Sequence, residues 1–182
     1  MKVIGIVGMP ASGKGEVSKI ARDLGIPVVV MGDAVRKRVA DAGLPATDAN
    51  LGGMSTELRS ELGMDAIARI TIPLIEAETA PAVLVDGIRG DYEVAAFRER
   101  FTDFTLIGIV SSFETRYARL TNRGRSDDTL TAEELRARDE RELGWGLGRA
   151  LAQADCTVAN EGTLEEFTAE IRALLRRQGG VT

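Results

Sequence analysis

Gly8-Met9-Pro10-Ala11-Ser12-Gly13-Lys14-Gly15 follows directly on the apolar run Val3-Ile4-Gly5-Ile6-Val7, giving the pattern G-x-x-x-x-G-K-G behind a buried-strand signal. After it, residues 16–24 place Val17, Ile20, Ala21 and Leu24 at helical spacing. A strand, a glycine-rich loop and a helix in that order aim successive backbone N–H groups and the positive end of a helix at one point. That point suits a polyphosphate, and Lys14 supplies a mobile cation for its outer phosphates. Gly8, Met9, Pro10, Ala11, Ser12, Gly13, Lys14 and Gly15 are therefore the expected residues for binding a nucleoside triphosphate. Most loops of this form carry Ser or Thr after the lysine, whose hydroxyl ligates Mg²⁺. Here Gly15 stands in that place and Glu16 follows it. A carboxylate there favours the helix dipole, and it is expected to face away from the nucleotide.

Working outward, apolar runs and helical patterns alternate along the whole chain. The runs at 3–7, 27–31, 83–86, 105–110 and Cys156–Ala159 read as strands, and their continuous apolarity implies burial on both faces. The expected fold is α/β: a three-layer α/β/α P-loop NTPase fold on a five-stranded parallel sheet, with residues 1–182 as one domain. Thr131 with Glu134, and Thr163 with Glu166, carry capping-box signatures. The last helix should bury Leu164, Phe167, Ile171 and Leu174 against the sheet. Two stretches exceed a minimal core. Residues 43–78, opening on a turn-rich run from Gly43 to Gly53, read as an acceptor-side insertion. Residues 116–131 read as a lid, because phosphoryl transfer needs water excluded.

Composition removes several classes of function. With no histidine among 182 residues, Ser-His-Asp hydrolysis and His-ligated zinc are excluded. The single cysteine, Cys156, can form neither an internal disulfide nor a thiolate metal cluster. It reads as a small core residue in a cytoplasmic protein. A net charge of −5, with one Trp, two Tyr and five Phe, disfavours nucleic acid as a partner. No stretch reads as a membrane span.

The G-K-G ending, with Pro10 two residues after the first glycine, resembles adenylate kinase and related nucleoside monophosphate kinases. Glu16 departs from that pattern, in which a threonine follows. Met31-Gly32-Asp33-Ala34-Val35-Arg36 resembles the G-D-x-x-R segment of adenylate kinases. The resemblance implies that Arg36 grips the acceptor's phosphate and that Asp33 sits beside the transferred group. Asp33 also reads as a plain helix cap with Arg36 solvated. Val83-Leu84-Val85-Asp86 is a strand closing on an aspartate, which can hold Mg²⁺ through water. The following Gly87-Ile88-Arg89 is similar to the D-G-x-x-R neighbourhood of the same enzymes, lacking its proline, and implies that Arg89 also meets the acceptor.

Arg116-Tyr117-Ala118-Arg119-Leu120-Thr121-Asn122-Arg123-Gly124-Arg125-Ser126-Asp127-Asp128 resembles the lid of short-lid nucleoside monophosphate kinases. By that likeness Arg123 and Arg125 neutralise the migrating phosphoryl group, while Arg116 and Arg119 bind substrate; Arg138 and Arg141 on the next helix are candidates to close the same pocket, Arg138 on the substrate. Glu133, Glu134, Asp139, Glu140 and Glu142 are interleaved with these arginines, so solvated helix faces stay open as the reading of any single one. Residues 154–166 look like the closing segment of dephospho-CoA kinases, which implies that Asn160 and Gly162 lie against the adenine. The chain as a whole resembles an archaeal P-loop kinase family related to both enzymes. These resemblances imply ATP- and Mg²⁺-dependent phosphoryl transfer to a small phosphorylated acceptor, of the nucleoside monophosphate or dephospho-CoA type. Lys14, Arg123, Arg125 and Asp33 would be catalytic, Asp33 as the base for a hydroxyl acceptor at the end of the strand next to the phosphate loop. The alternative is a nucleotide-gated regulatory or assembly ATPase on the same fold, lacking a real acceptor pocket.

Overall fold

The computed structural model describes residues 1–123 and 131–180, with the backbone alone for 122 and 123. Five strands, β1 (Lys2–Val7), β2 (Val28–Val30), β3 (Ala82–Ile88), β4 (Phe104–Val110) and β5 (Cys156–Ala159), form one sheet in the order β2-β3-β1-β4-β5. Every pairing is parallel. The alternation of side chains along each strand divides the core into two faces. Ile4, Ile6, Leu84, Ile107 and Ile109 pack under α1 (Lys14–Asp23) and the C-terminal helix, while Val3, Val7, Val83, Val85 and Leu106 pack on the opposite side. There α2 (Met31–Asp41), α3 (Asp48–Leu62), α4 (Ala66–Glu76) and α5 (Asp91–Arg100) cover the sheet. Next along the chain come α6 (Phe113–Arg123), α7 (Ala132–Gly144) and α8 (Leu147–Ala152), with α9 (Leu164–Gly179) last. This is the expected three-layer architecture, with every expected strand present.

Four details depart from the sequence reading, and each has a local cause. β2 lies at the sheet edge with β3 between it and β1, so Asp33 is not on the strand next to the phosphate loop. Asp86 lies inside β3, not at its end. Pairing passes from Ile6↔Asp86 to Val7↔Ile88, which leaves Gly87 as the extra residue of a bulge, with φ at 108°. A bulge of this kind re-aims the side chains beside it. The run read as turn-rich is helical from Asp48 onward, because the Thr47 hydroxyl caps α3 by accepting from the Asn50 N–H. Leu164 is 59% exposed in the first turn of α9, while Phe167, Ile171, Leu174 and Leu175 make the buried stripe. The capping boxes at Thr131 and Thr163 are both formed.

Candidate functional site

The loop from Gly8 to Gly13 is built by close approach. A Cβ on Gly8 would stand 2.5 Å from the Ile109 carbonyl, and one on Gly13, where φ is +114°, would stand 2.3 Å from the Asn160 amide nitrogen. Ala11 also holds a left-handed φ of 61°. α1 then starts at Lys14 with no side-chain cap, so its first N–H groups face the loop. Lys14 folds back over that loop, donating from Nζ to the Gly8 carbonyl at 2.6 Å and the Met9 carbonyl at 2.8 Å. Burial, and then the Arg89 charge, lower its ammonium to about 7. The Ser12 hydroxyl is buried in the same loop without a hydrogen-bond partner among the described residues. Glu16 turns its carboxylate to Lys19 at 3.5 Å. Gly15 is exposed and a Cβ there would touch nothing.

A hydroxyl does approach the β3 aspartate from α1, but one turn later than the usual place. Ser18 donates from Oγ to Asp86 Oδ2 at 2.7 Å and is 3% exposed. The sequence reading missed Ser18, although it lies four residues after Lys14 and so on the same helix face.

Three residues expected to meet ligand are bonded to the loop or to its supports. Arg116 is 4% exposed and makes a two-pronged bond to Asp139 of α7, Nη1 to Oδ1 at 2.9 Å and Nη2 to Oδ2 at 2.7 Å. Its Nη1 also donates to the Pro10 carbonyl at 3.1 Å. Arg119 donates to the Asn160 carbonyl and Oδ1, both at 2.9 Å, and to Ser111 Oγ at 3.1 Å. Asn160 passes that order on, its Nδ2 donating to the Ser12 carbonyl at 2.9 Å. With its amide used at both ends and its side chain buried, Asn160 braces the phosphate loop. Gly162, two residues on, is exposed. Arg123 by its side chain, and Arg125 altogether, lie outside the described residues.

A cavity of about 190 Å³ opens between the ends of β2 and β3, the insertion helix α3, and α7. Asp86, Arg89, Arg36, Arg138, Arg141 and Glu142 line it. The sheet thus brings Arg36 and Arg89 together with Arg138 and Arg141, which come from more than forty positions later in the chain. Asp33 does not line it. Its side chain is 67% exposed and accepts from Arg36 Nη1 at 2.7 Å. Arg138 pairs with Glu142 at 3.2 Å and with Asp48 at 3.4 Å, and Arg141 donates twice to Asp48, at 3.0 and 2.8 Å. Asp48 had no assigned role in the sequence, nor had Arg59, Glu93 or Trp145. Arg59 of α3 is buried against Glu93 at 2.6 Å and stacks over Trp145 at 4.4 Å, fixing the insertion to the sheet side of the cavity. No helix among the described residues is long and apolar enough to cross a membrane.

With this geometry in view, residues 7–136 match the family described as AAA domain. A UPF0200 protein of Methanoculleus marisnigri is 79% identical over 180 residues, spanning 99% of this chain and 98% of that protein. A UPF0200 protein of Methanoregula boonei is 59% identical over 175 residues, 96% of each. Among solved structures, TT1252 from Thermus thermophilus matches with a TM-score of 0.67 at 20% identity, over 97% of both chains. A gluconokinase from Sinorhizobium meliloti matches at 0.60 and 20% identity, over 98% of this chain and 94% of that one. A shikimate kinase from Acinetobacter baumannii, solved with shikimate, matches at 0.62 and 17%, over 97% and 94%. At such identities the likeness is one of fold, and the fold is that of P-loop kinases.

Proposed function

From the premise that this chain belongs to the AAA domain family and to the UPF0200 proteins, on a P-loop kinase-like fold, we propose that it is an ATP-dependent phosphotransferase acting on a small anionic acceptor. The observation that carries this reading is the arginine-lined cavity whose wall includes Asp86, the residue that Ser18 ties to the helix of the phosphate loop. A regulator that only senses nucleotide has no need of a second polar cavity there. Lys14 would leave the Gly8 and Met9 carbonyls to reach the β- and γ-phosphates, and the N–H groups of the loop and of the first turn of α1 would hold the rest. Arg36, Arg89, Arg138 and Arg141 would draw the acceptor in. Arg123 and Arg125 would serve the developing charge, within a lid spanning 116–131. Catalysis would be chiefly positioning and electrostatics, needing no histidine.

The donor set bears on the metal. Among the described residues no three acidic, cysteine or histidine side chains converge, so Mg²⁺ would be held by the nucleotide's own phosphates. Asp86, oriented by Ser18, would bind one of its waters, and the ion would supply charge neutralisation at the phosphates. Lys14→Ala tests the whole reading. It should abolish Lys14-dependent ATP binding and turnover while the protein still melts cooperatively, measured by equilibrium binding, ADP release and calorimetry. Near wild-type turnover in a folded Lys14→Ala protein would sink the proposal.

A further inference from the structure

Inside the cavity, Arg89 Nη1 and Glu142 Oε2 stand 3.2 Å apart. Neither atom has a hydrogen-bond partner among the described residues, and Glu142 is 3% exposed. The contact has the distance of an ion pair without the alignment of a hydrogen bond. A carboxylate oxygen buried without a hydrogen bond is costly even beside a cation, so a third group is called for at this point. Its chemistry is constrained, because it must donate to Glu142 and accept from Arg89. An ionised phosphate or carboxylate oxygen only accepts, and would be set against the Glu142 charge. An ammonium only donates, and would be set against Arg89. A neutral hydroxyl does both. Burial alone would raise the Glu142 carboxyl, but Arg89, Arg138 and Lys14 together hold it below the usual carboxylate range, so it is an acceptor at neutral pH.

The place is as telling as the pairing. Asp86 and Gly87 form the cavity wall beside these two residues, and Lys14 is close enough to feel both the Arg89 and the Glu142 charge. The pair therefore lies where the phosphate loop and the acceptor cavity meet. At the far side, Arg141 also lines the cavity, lying against Gly52 of α3 with Nη2 bonded to the partly exposed Asp48. Resting on the phosphotransferase reading above, we propose that Glu142 and Arg89 seat the attacking hydroxyl of the acceptor. The acceptor is then a small alcohol whose anionic group lies against Arg36 and Arg141, not a nucleoside monophosphate attacking through a phosphate oxygen. In the transfer the hydroxyl oxygen bonds to the γ-phosphorus of ATP. The bond from that phosphorus to the β–γ bridging oxygen breaks, its electron pair leaves on ADP, and the hydroxyl proton passes to Glu142 and on to solvent. With a loose transition state, charge on the attacking oxygen develops late and a weak base suffices. Without acceptor, water fills the same place and is the slow substrate.

The test measures ADP release by the full chain at saturating ATP and Mg²⁺, with ATP binding and melting measured on every variant. Wild type, Glu142→Gln and Lys14→Ala are each assayed with water alone, with AMP, CMP, GMP and UMP, and with a set of hydroxy acids and sugar phosphates. Glu142→Gln keeps the size of the side chain but cannot take the proton. The expected result is stimulation by a compound of the alcohol set. Glu142→Gln should bind ATP as wild type does yet release ADP about 10²-fold more slowly, with alcohol or with water. Stimulation by a nucleoside monophosphate that survives in Glu142→Gln would overturn the hydroxyl assignment and leave phosphotransfer standing. If neither set stimulates, the water rate decides, and a rate unchanged in Glu142→Gln overturns the assignment equally. Absence of Lys14-dependent ATP binding in wild type would instead overturn the phosphotransferase reading. Should Glu142→Gln misfold, Glu142→Asp keeps the charge but withdraws the oxygen, and the same loss is expected of it.

Discussion

Arginines flank the phosphate loop on two sides, and the sides differ in what their nitrogens meet. On the α6 side, Arg116 and Arg119 are spent on Asp139, on Asn160 and on the loop carbonyl of Pro10. On the cavity side, Arg89 keeps a terminal nitrogen, Nη1, without a hydrogen-bond partner among the described residues, whereas in Arg116 and Arg141 the buried nitrogen lacking one is Nε. The same residue type therefore serves as scaffold in one place and faces an open cavity in the other. The lesson is that an arginine's role follows from where its terminal nitrogens end up: both of Arg116's are bonded in the buried interior, while those of Arg89 and Arg141 lie at a cavity wall.

The scaffold side should break hardest. Arg116→Ala leaves the buried Asp139 uncompensated and frees the Pro10 carbonyl, so a loss of about 3–5 kcal/mol of stability is expected. Denaturant unfolding checks it, and wild-type stability would erase the distinction between the two sides. Asn160→Ala should cost less, about 1–3 kcal/mol, by taking the closer donor from the Ser12 carbonyl, which keeps only Ser111 Oγ at 3.4 Å, and the Oδ1 acceptor from Arg119. It should also weaken ATP binding through a looser loop, which calorimetric titration reads directly.

A third experiment sharpens the contrast through pH. With Lys14 lowered to about 7 in the unliganded protein, the lysine is mostly neutral at pH 8. Polyphosphate favours its charged form, so ATP binding there should take up about one proton, and affinity should fall as pH rises above 7. Titrations at pH 8 in two buffers of different ionisation heat measure the uptake. No uptake would mean that Lys14 is already charged when ATP arrives. The smallest effect is expected of Asp33→Asn, whose exposed pair with Arg36 is worth about 0.5 kcal/mol or less, with turnover little changed. A loss of orders of magnitude in turnover would restore Asp33 as the base and displace Glu142 from that place.

The fold was largely legible. Unbroken apolar runs gave the five strands, and the loop pattern placed the first helix with its lysine, because both signals are local and depend on neighbours in sequence. Boundaries slipped where a local rule met a tertiary one. Gly87 looked like a turn after a finished strand, yet β3 continues to Ile88 through a bulge that only the register with β1 reveals. Gly52 and Gly53 looked like turn residues, but they lie within α3, where Gly52 leaves room for the Arg141 guanidinium.

The site was legible in part, and its limits are physical. Gly8 through Lys14, Asp86, Arg36, Arg89, Arg138 and Arg141 were all named from sequence, and the sheet brings them to the loop or to the cavity. Ser18, Asp48 and Glu142 were not named for the site. In the chain they are a helix serine and two carboxylates among many, and nothing within a few residues distinguishes them.

The sequence by itself determined a parallel α/β sheet, a phosphate loop at its first strand and an arginine-rich surrounding. These follow from periodicity, glycine placement and residue type, which act over a few residues. Only the tertiary structure decided which arginines are matched and which are not. That depends on carboxylates and carbonyls arriving from 23 to 106 residues away: Asp139 and Pro10 on Arg116, and Asn160, 41 residues off, on Arg119. Hydrogen-bond satisfaction is a property of the packed interior, and no stretch of chain carries it alone.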